Sequence, residues 1–241
     1  MNKKALIVVT NHTDFEVPGA DPTGLWLSEL VHFYDVFDEA GIGMDIVSLQ
    51  GGEIAVDGRS LGRVVLDKAT RRRHEDPEFM ALLADTKRLS DVDIQDYDVV
   101  YFAGGHGAMW DFADSEELHA VIREMYESDR VVSAVCHGTA SLQNARLSNG
   151  EYLIAGKKGT GFAYFDERIA GVKKLVPYNL QSRLEDRGMI YSKARIPLGG
   201  HTVVDGRLIT GQNPNSATET AERTLEAIGA RVDGKEDSNG R

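Results

Sequence analysis

The chain has 241 residues, of which 41% are hydrophobic and 27% charged, so it is long enough to bury a substantial core and differs in composition from disordered chains. Its net charge of −11 argues against a nucleic-acid partner or a membrane partner, because both need a basic face, and no apolar stretch reaches the length of a membrane span. One cysteine cannot form an internal disulfide, and the N-terminal segment lacks the pattern of a signal peptide, so we expect a cytoplasmic location.

Short β-branched runs alternate with amphipathic segments along most of the chain. In chain order, the first half is predicted to contain a strand at 5–10, a helix at 24–40 ending before Gly41, a strand at 44–49, a more polar insertion at 51–97 with one short helix at 77–84, and a strand at 98–102. The second half is predicted to contain a helix at 115–127, a strand at 131–135, a helix beginning near 138, strands and turns at 149–161, helices at 166–172 and 179–187, a strand at 207–210 and a last helix ending at 229. Ser216 and Glu219 have the spacing of a capping box that would open the last helix.

This alternation indicates an α/β fold with a mostly parallel sheet and helices on both faces. We find no internal repeat and no interior linker in the sequence. We therefore predict a single domain over residues 1–232, with 51–97 as its insertion or flap region, followed by a frayed polar tail at 233–241.

Three segments follow predicted strands directly: the loop after Thr10, the run Gly104–Gly107, and Cys136 with His137. Ligands of open α/β sheets bind beyond the carboxyl ends of the strands. We therefore expect these three segments to converge on one site.

Cys136 is the first candidate for chemistry at this edge. A free cysteine is often only a small buried hydrophobe. Here the run Val131-Val-Ser-Ala-Val-Cys-His-Gly138 is typical of a nucleophile elbow, a strand followed by a nucleophile and a small residue on a sharp turn. A helix beginning at Gly138 would favour the thiolate through its positive end.

His137 and the Gly105–His106 loop are the second group of candidates. His137 is either a polar turn residue or a base beside the nucleophile, with a backbone N–H that helps to hold an oxyanion. Gly105 and His106 belong to a second oxyanion loop, where consecutive glycines let backbone N–H groups approach a substrate.

Glu29 is unusual because apolar side chains lie nearly all round its predicted helix, Leu25-Trp-Leu-Ser-Glu-Leu-Val-His-Phe33. A glutamate on a narrow solvated stripe is one interpretation. The other is a buried carboxyl with a raised pKa that is suited to general acid–base catalysis.

Together these residues resemble the ThiJ/PfpI superfamily, and within it the branch of heat-shock chaperones and glutathione-independent glyoxalases (glyoxalase III). The resemblance covers about residues 3–229. It is carried by the segments Asp21–Glu29 and Tyr34–Phe37, Ala103–Asp111, Ala134–Gly138, Thr160–Phe162 with Glu167, and Thr210–Ser216.

The resemblance implies a flavodoxin-like fold of the class I glutamine amidotransferase type. It implies Cys136 as the nucleophile, His137 as the histidine that follows it, Glu29 as the carboxyl that contacts the cysteine, and Glu167 as the acid that orients His137. Gly105, His106 and Trp26 are expected to bind substrate. Asp166 adjoins Glu167, so the choice between these two acids stays open. The superfamily needs no metal or organic cofactor and is commonly homodimeric.

The leading hypothesis is an enzyme that converts methylglyoxal or a related 2-oxoaldehyde to a 2-hydroxyacid, through a hemithioacetal on Cys136. The same resemblance is compatible with protein deglycation and with a stress chaperone that holds clients without using the cysteine. A cysteine amidase or peptidase, or a redox sensor based on Cys136, are further alternatives.

Overall fold

A computed structural model describes residues 3–230 of the protein, and these form a seven-stranded sheet with flanking helices. The strands are β1 (Lys4–Val9), β2 (Gly43–Ser48), β3 (Lys87–Arg88), β4 (Val99–Phe102), β5 (Val131–Val135), β6 (Lys158–Gly159), β7 (Ile190–Tyr191), β8 (Thr202–Asp205) and β9 (Leu208–Gly211). The α-helices are α1 (Leu27–Glu39), α2 (Lys68–His74), α3 (Pro77–Ala84), α4 (Ala108–Asp111), α5 (Glu116–Glu127), α6 (Tyr164–Ile169), α7 (Leu180–Asp186) and α8 (Ala217–Ala227).

The strand order in the main sheet is β3-β2-β1-β4-β5-β9-β8, and β6 and β7 pair separately. All pairings in the main sheet are parallel except the antiparallel pair β8–β9 at one edge. The predicted α/β class is therefore confirmed, and β8 is an element that the sequence pattern did not indicate.

The central strands are continuously apolar because both of their faces are covered. The last five residues of β1 and all residues of β4 and β5 are buried. Helices α1 and α8 pack against each other and α5 packs against β4 and β5, so the core lies between the sheet and these helices. No helix of the described chain combines the length and the apolar character that a bilayer span requires.

The segment 51–97 has more structure than the one short helix predicted for it. It also contains α2 and β3, and β3 extends the main sheet by pairing with β2. Helix α2 is attached to α1 by Arg73, which donates to Asp35 at 2.7 Å and to Asp38 at 2.8 Å. This segment thus closes one side of the sheet.

The helix predicted to begin near Gly138 is present, but it is not an α-helix. Residues Cys136–Leu142 form a 3₁₀-helix instead. The hydroxyl of Thr139 donates to the carbonyl of Cys136 at 2.7 Å, and that of Ser141 donates to the carbonyl of Gly138 at 2.8 Å. Such local side-chain bonds compete with the backbone ladder of an α-helix, which explains the tighter turn.

The predicted capping box of Ser216 and Glu219 was wrong. The hydroxyl of Ser216 accepts the N–H of His201 at 3.0 Å and forms a capping box with Asn213, three residues upstream. It makes no capping hydrogen bond to α8. The side chain is used by the short 3₁₀-helix Pro214–Ser216, so α8 begins without it.

Element boundaries differ elsewhere by a few residues. Helix α6 spans Tyr164–Ile169 rather than 166–172, while α1 ends as predicted before Gly41, whose φ of 68° suits a glycine C-cap. The predicted frayed tail at 233–241 lies outside the described residues.

Gly138 provides a test of the packing under the elbow. A Cβ at this position would lie 2.2 Å from the carbonyl oxygen of Phe102, which is backbone and cannot rotate away. We expect Gly138→Ala to lower the free energy of unfolding by about 1–3 kcal/mol, measured by chemical denaturation. Gly43→Ala is the matched control, because the nearest atom is a flexible Lys4 carbon at 3.7 Å. Equal stability of the two variants would contradict this packing.

Candidate active site

Cys136 lies on a strained turn at the carboxyl end of β5. Its φ is +56°, in the left-handed region that a residue with a Cβ seldom occupies. Backbone strain of this kind costs about 1–3 kcal/mol and persists where the surroundings enforce it. The residue is only 3% exposed, yet it lines a cavity. The structure thus has the strand, turn and strained residue of the elbow predicted from the sequence.

The carboxyl of Glu29 is completely buried near the start of α1. Its Oε2 accepts the N–H of Gly104 at 2.8 Å. The thiol of Cys136 is close enough to lower the pKa of this carboxyl, but it lies outside hydrogen-bond geometry, so Oε1 has no hydrogen-bond partner among residues 3–230. The interpretation of Glu29 as part of a solvated stripe is therefore excluded.

Gly104 allows the carboxyl and the cysteine to approach each other. A Cβ on Gly104 would lie 2.5 Å from Oε2 of Glu29 and 3.0 Å from the Cβ of Cys136. Any side chain here would separate the two groups or displace the turn.

The pKa values of Glu29 and Cys136 are both raised, mainly by burial. Burial raises the pKa of Glu29 to about 8, although the thiol and the N–H of Gly104 lower it in part. Burial, followed by the charge of Glu29, raises the pKa of the Cys136 thiol, against an opposing hydrogen bond from the N–H of His137. Two negative charges are therefore unfavourable here, and near neutral pH the pair shares at least one proton.

This finding corrects the expectation that a helix terminus favours the thiolate. The turn after β5 is a 3₁₀-helix, and burial together with Glu29 raises the thiol pKa instead of lowering it. Ionisation of Cys136 therefore depends on the protonation state of Glu29.

The imidazole of His137 connects Cys136 to Glu167. Its Nδ1 lies 3.2 Å from Sγ of Cys136, and its Nε2 lies 2.7 Å from Oε1 of Glu167 on α6. Burial alone would raise the pKa of Glu167, but the charge of His137 and the hydrogen bonds of His137 and His106 lower it to about 2. We call Cys136, His137 and Glu167 the triad; its geometry is that of nucleophile, base and orienting acid.

Asp166, the alternative acid, lies in a different environment. It accepts the side-chain N–H of Gln212 at 2.7 Å and the backbone N–H of Leu198 at 3.1 Å. It makes no hydrogen bond to His137 within the described chain. Its contacts tie α6 to the segments after β7 and β9.

The Gly105–His106 loop contributes in two ways. The backbone N–H of Gly105 donates no hydrogen bond within residues 3–230, so it is free for the oxyanion role predicted from the sequence. The side chain of His106, by contrast, was not expected to reach the triad. Its ring lies 4.0 Å from that of His137, and its Nε2 is 3.4 Å from Oε2 of Glu167.

Trp26 and Phe162 complete the surroundings of the reactive groups. Trp26 lies in the cavity wall, and its backbone N–H donates to the carbonyl of Gly104 at 3.1 Å. Phe162 stacks on His137 with ring centroids 4.5 Å apart, so this imidazole is held between Phe162 and His106.

The cavity in front of Cys136 has a volume of about 670 Å³. Its floor carries Cys136, His137 and His106, and its outer wall is largely apolar. The apolar residues of this wall include Val64, Val65, Leu66, Ile169 and Leu198. Val64 is fully exposed, so the mouth of the cavity presents apolar surface to solvent.

Arg59 is a cavity residue that sequence reasoning missed. It comes from the segment 51–97, where it is held by the buried carboxylate of Asp57. Its Nη2 lies 3.2 Å from Nδ1 of His106. No local pattern marks this arginine, because its partners are brought to it by the tertiary fold.

Three ligand atoms of the site are spaced as a metal centre would require. One atom each from His106, His137 and Glu167 all lie within 4.8 Å of one another. Two imidazoles and a carboxylate are a suitable donor set for Zn²⁺. The same atoms are, however, engaged in the hydrogen bonds described above.

Comparison with known proteins identifies relatives over nearly the whole chain. The sequence profile of the DJ-1/PfpI family matches residues 23–227. Glyoxalase 3 of Candida albicans is 32% identical over 232 residues, which cover 93% of this chain and 98% of the relative. The glutathione-independent glyoxalase HSP31 of Saccharomyces cerevisiae is 32% identical over 233 residues, with 94% and 98% covered.

Solved structures agree with these sequence matches. The Rapid Encystment Protein 24 KDa of Francisella tularensis superimposes with a TM-score of 0.88 at 36% identity, covering 94% of this chain and 99% of that one. Glyoxalase III from Candida albicans superimposes with a TM-score of 0.86 at 32% identity, covering 93% and 97%.

The coupling of Glu29 to Cys136 predicts a shift in thiol reactivity. We expect Glu29→Gln to lower the apparent pKa for alkylation of Cys136 by iodoacetamide, because the substitution removes the neighbouring carboxylate charge. The rate is followed against pH by mass spectrometry. Glu219→Gln, a half-exposed glutamate on α8, is the control and should match the unsubstituted protein. An unchanged or raised apparent pKa in Glu29→Gln would contradict the coupling.

Proposed function

The chain belongs to the DJ-1/PfpI family, and from this premise we propose that it is a glutathione-independent glyoxalase. It converts methylglyoxal or a similar 2-oxoaldehyde to the 2-hydroxyacid, with addition of one water and no cofactor. The observation that carries this proposal is the buried carboxyl of Glu29 beside Cys136, because an isomerisation between two carbons needs a proton carrier next to the nucleophile.

In the first step, the thiolate of Cys136 attacks the aldehyde carbon. The proton that the pair shares resides on Glu29 and passes to the aldehyde oxygen, which gives a hemithioacetal. Glu29 is then a carboxylate. The shared proton thus both permits the thiolate and supplies the acid for the first step.

In the second step, Glu29 removes the hydrogen from the former aldehyde carbon and forms an enediol. Glu29 returns the proton to the neighbouring carbon, and the hydroxyl proton of the former aldehyde carbon passes to the neighbouring oxygen, which yields a 2-hydroxy thioester on Cys136. Backbone N–H groups of Gly105 and His137 stabilise the oxyanions formed along this path.

In the last step, water hydrolyses the thioester. His137, oriented by Glu167, takes a proton from the water and returns it to the departing sulfur. One water is consumed and the free thiol is restored, so neither an oxidant nor a reductant is required.

A hydrolase acting on amides would use the same triad but would not need Glu29.

A second candidate function, the holding of unfolded proteins, is supported by the apolar residues at the cavity mouth. Its exposed members are Val64, Val65, Ile169 and Leu198. They suit the holding of apolar segments of unfolded clients. Suppression of client aggregation that survives Cys136→Ala would assign this activity separately from the enzyme. Protein deglycation, the homodimeric state and the cytoplasmic location stay predictions.

The glyoxalase proposal is tested with purified protein and methylglyoxal in the absence of glutathione. We expect the unsubstituted protein to form lactate, Cys136→Ser to be inactive, and Glu29→Gln to lose about 10²–10⁴-fold in kcat/KM, because it keeps the shape but carries no proton. Circular dichroism checks that both variants fold. Equal consumption of methylglyoxal by the unsubstituted protein and Cys136→Ser would refute the proposal.

The orienting role of Glu167 is tested with its neighbour as a matched control. Glu167→Gln should lower turnover by about 10- to 100-fold, less than the loss of a serine-triad acid costs, because a thiol ionises more readily. Asp166→Asn should leave turnover within a few-fold while lowering the melting temperature, since it weakens the contacts to Gln212 and Leu198. The reverse pattern would assign the acid to Asp166.

A further inference from the structure

His106 has a polar partner on each ring nitrogen. Its Nδ1 lies 3.2 Å from Nη2 of Arg59, and its Nε2 lies 3.4 Å from Oε2 of Glu167. A guanidinium can only donate hydrogen bonds, so Nδ1 must be the acceptor. A neutral imidazole that accepts at Nδ1 carries its proton on Nε2, which then points to Glu167. An imidazole that accepts at Nδ1 is neutral, because the imidazolium form carries a proton on both nitrogens.

The guanidinium of Arg59 is held in place by contacts other than the one with His106. Its Nε donates to Oδ1 of the fully buried Asp57 at 2.9 Å, and its Nη2 donates to Oδ2 of the same carboxylate. Thr23 also donates to this carboxylate at 3.0 Å, and the guanidinium lies over the ring of Phe15 at 4.8 Å. The direction of the N–H groups is therefore set by buried groups outside the triad.

The tautomer of His106 decides whether the site can bind a metal. One ligand atom each from His106, His137 and Glu167 lie within 4.8 Å of one another, and Nε2 is the His106 nitrogen that faces Glu167, at 3.4 Å from Oε2. To bind a metal through Nε2, the ring must move its proton to Nδ1. That proton would then face an N–H of Arg59, and two donors would oppose each other at 3.2 Å.

We propose that Arg59 is a positioning residue that locks His106 in the Nε2–H tautomer and thereby keeps divalent cations out of the triad. The fixed tautomer has two effects on the site. It supplies a second N–H donor to the carboxylate that orients His137, and it removes the lone pair that would complete a zinc site. The charge of Arg59 is largely balanced by Asp57, so the orientation of its donor, rather than its net charge, carries the effect.

The tautomer is measured directly by ¹⁵N chemical shifts of the His106 ring, which distinguish a protonated nitrogen from one with a free lone pair. We expect Nε2 to carry the proton in the unsubstituted protein and the two tautomers to mix in Arg59→Met, which keeps the aliphatic stem but removes the donors. Arg73→Met is the matched control, because Arg73 is likewise paired with acidic side chains and lies over an aromatic ring but belongs to α2. A structural role alone would not change the tautomer.

Zinc affinity is measured by calorimetry with ZnCl₂, with every variant made in the Cys136→Ala background so that the thiol itself binds no zinc. We expect Arg59→Met to bind one Zn²⁺ at least about tenfold more tightly than the Cys136→Ala protein, a difference of about 1.4 kcal/mol. Adding His106→Gln should abolish the gain. Because these readouts do not involve turnover, they are independent of the proposed glyoxalase activity.

Removal of Arg59 leaves the carboxylate of Asp57 buried and unpaired, which threatens the fold. The double variant Asp57→Asn/Arg59→Met removes both charges and is expected to show the same gain in zinc affinity. The proposal is overturned if His106 carries its proton on Nδ1 in the unsubstituted protein. Equal zinc affinity in the Cys136→Ala protein and in folded Arg59 variants would overturn it as well.

Discussion

The burial of the Glu29 carboxyl against Cys136 is the constraint to which the other parts of the site are adapted. A carboxylate without water or a cationic partner is costly, and here one N–H from Gly104 is its only hydrogen-bond donor within the described chain. The carboxyl therefore retains a proton that an exposed glutamate would release. Helix α1 must begin beneath the elbow, and residue 104 must lack a side chain, for this contact to exist. Burial of the Glu29 carboxyl therefore both makes this group reactive and costs the fold stability.

The site also shows how one residue type serves two purposes through its surroundings. Glu29 has few donors, and burial raises its pKa to about 8. Glu167 is buried as well, but the charge of His137 and the hydrogen bonds of two imidazoles lower its pKa to about 2. One carboxyl can therefore carry a proton near neutral pH, while the other stays charged and orients its neighbour. When the surroundings move the pKa values of two carboxyl groups apart, one can act as an acid and the other as a base or an orienting charge in a single cavity.

The sequence was most informative where a function leaves a local pattern. The elbow at Cys136 follows from a buried strand and a glycine, and Glu29 stands out because its helix is apolar nearly all round. Arg59 and the ring of His106 could not be found in this way, because their partners are 47 and 61 residues distant along the chain. The 3₁₀ form of the helix at Gly138 and the error at Ser216 share one cause. In both places a hydroxyl side chain has several possible hydrogen-bond partners. Which partner it bonds is decided by the three-dimensional arrangement of the chain and not by the spacing of residues in the sequence.

The cavity is assembled from segments that span almost the entire chain, from Trp26 to Asn215. No short fragment can therefore build it, because its lining residues lie far apart in the sequence. In the unfolded chain the only cysteine is an ordinary exposed thiol without Glu29 beside it. Its rate of modification at a fixed pH consequently distinguishes folded from unfolded molecules. The protein thus contains an intrinsic reporter of native-state opening, which can follow local unfolding at the elbow without any introduced label.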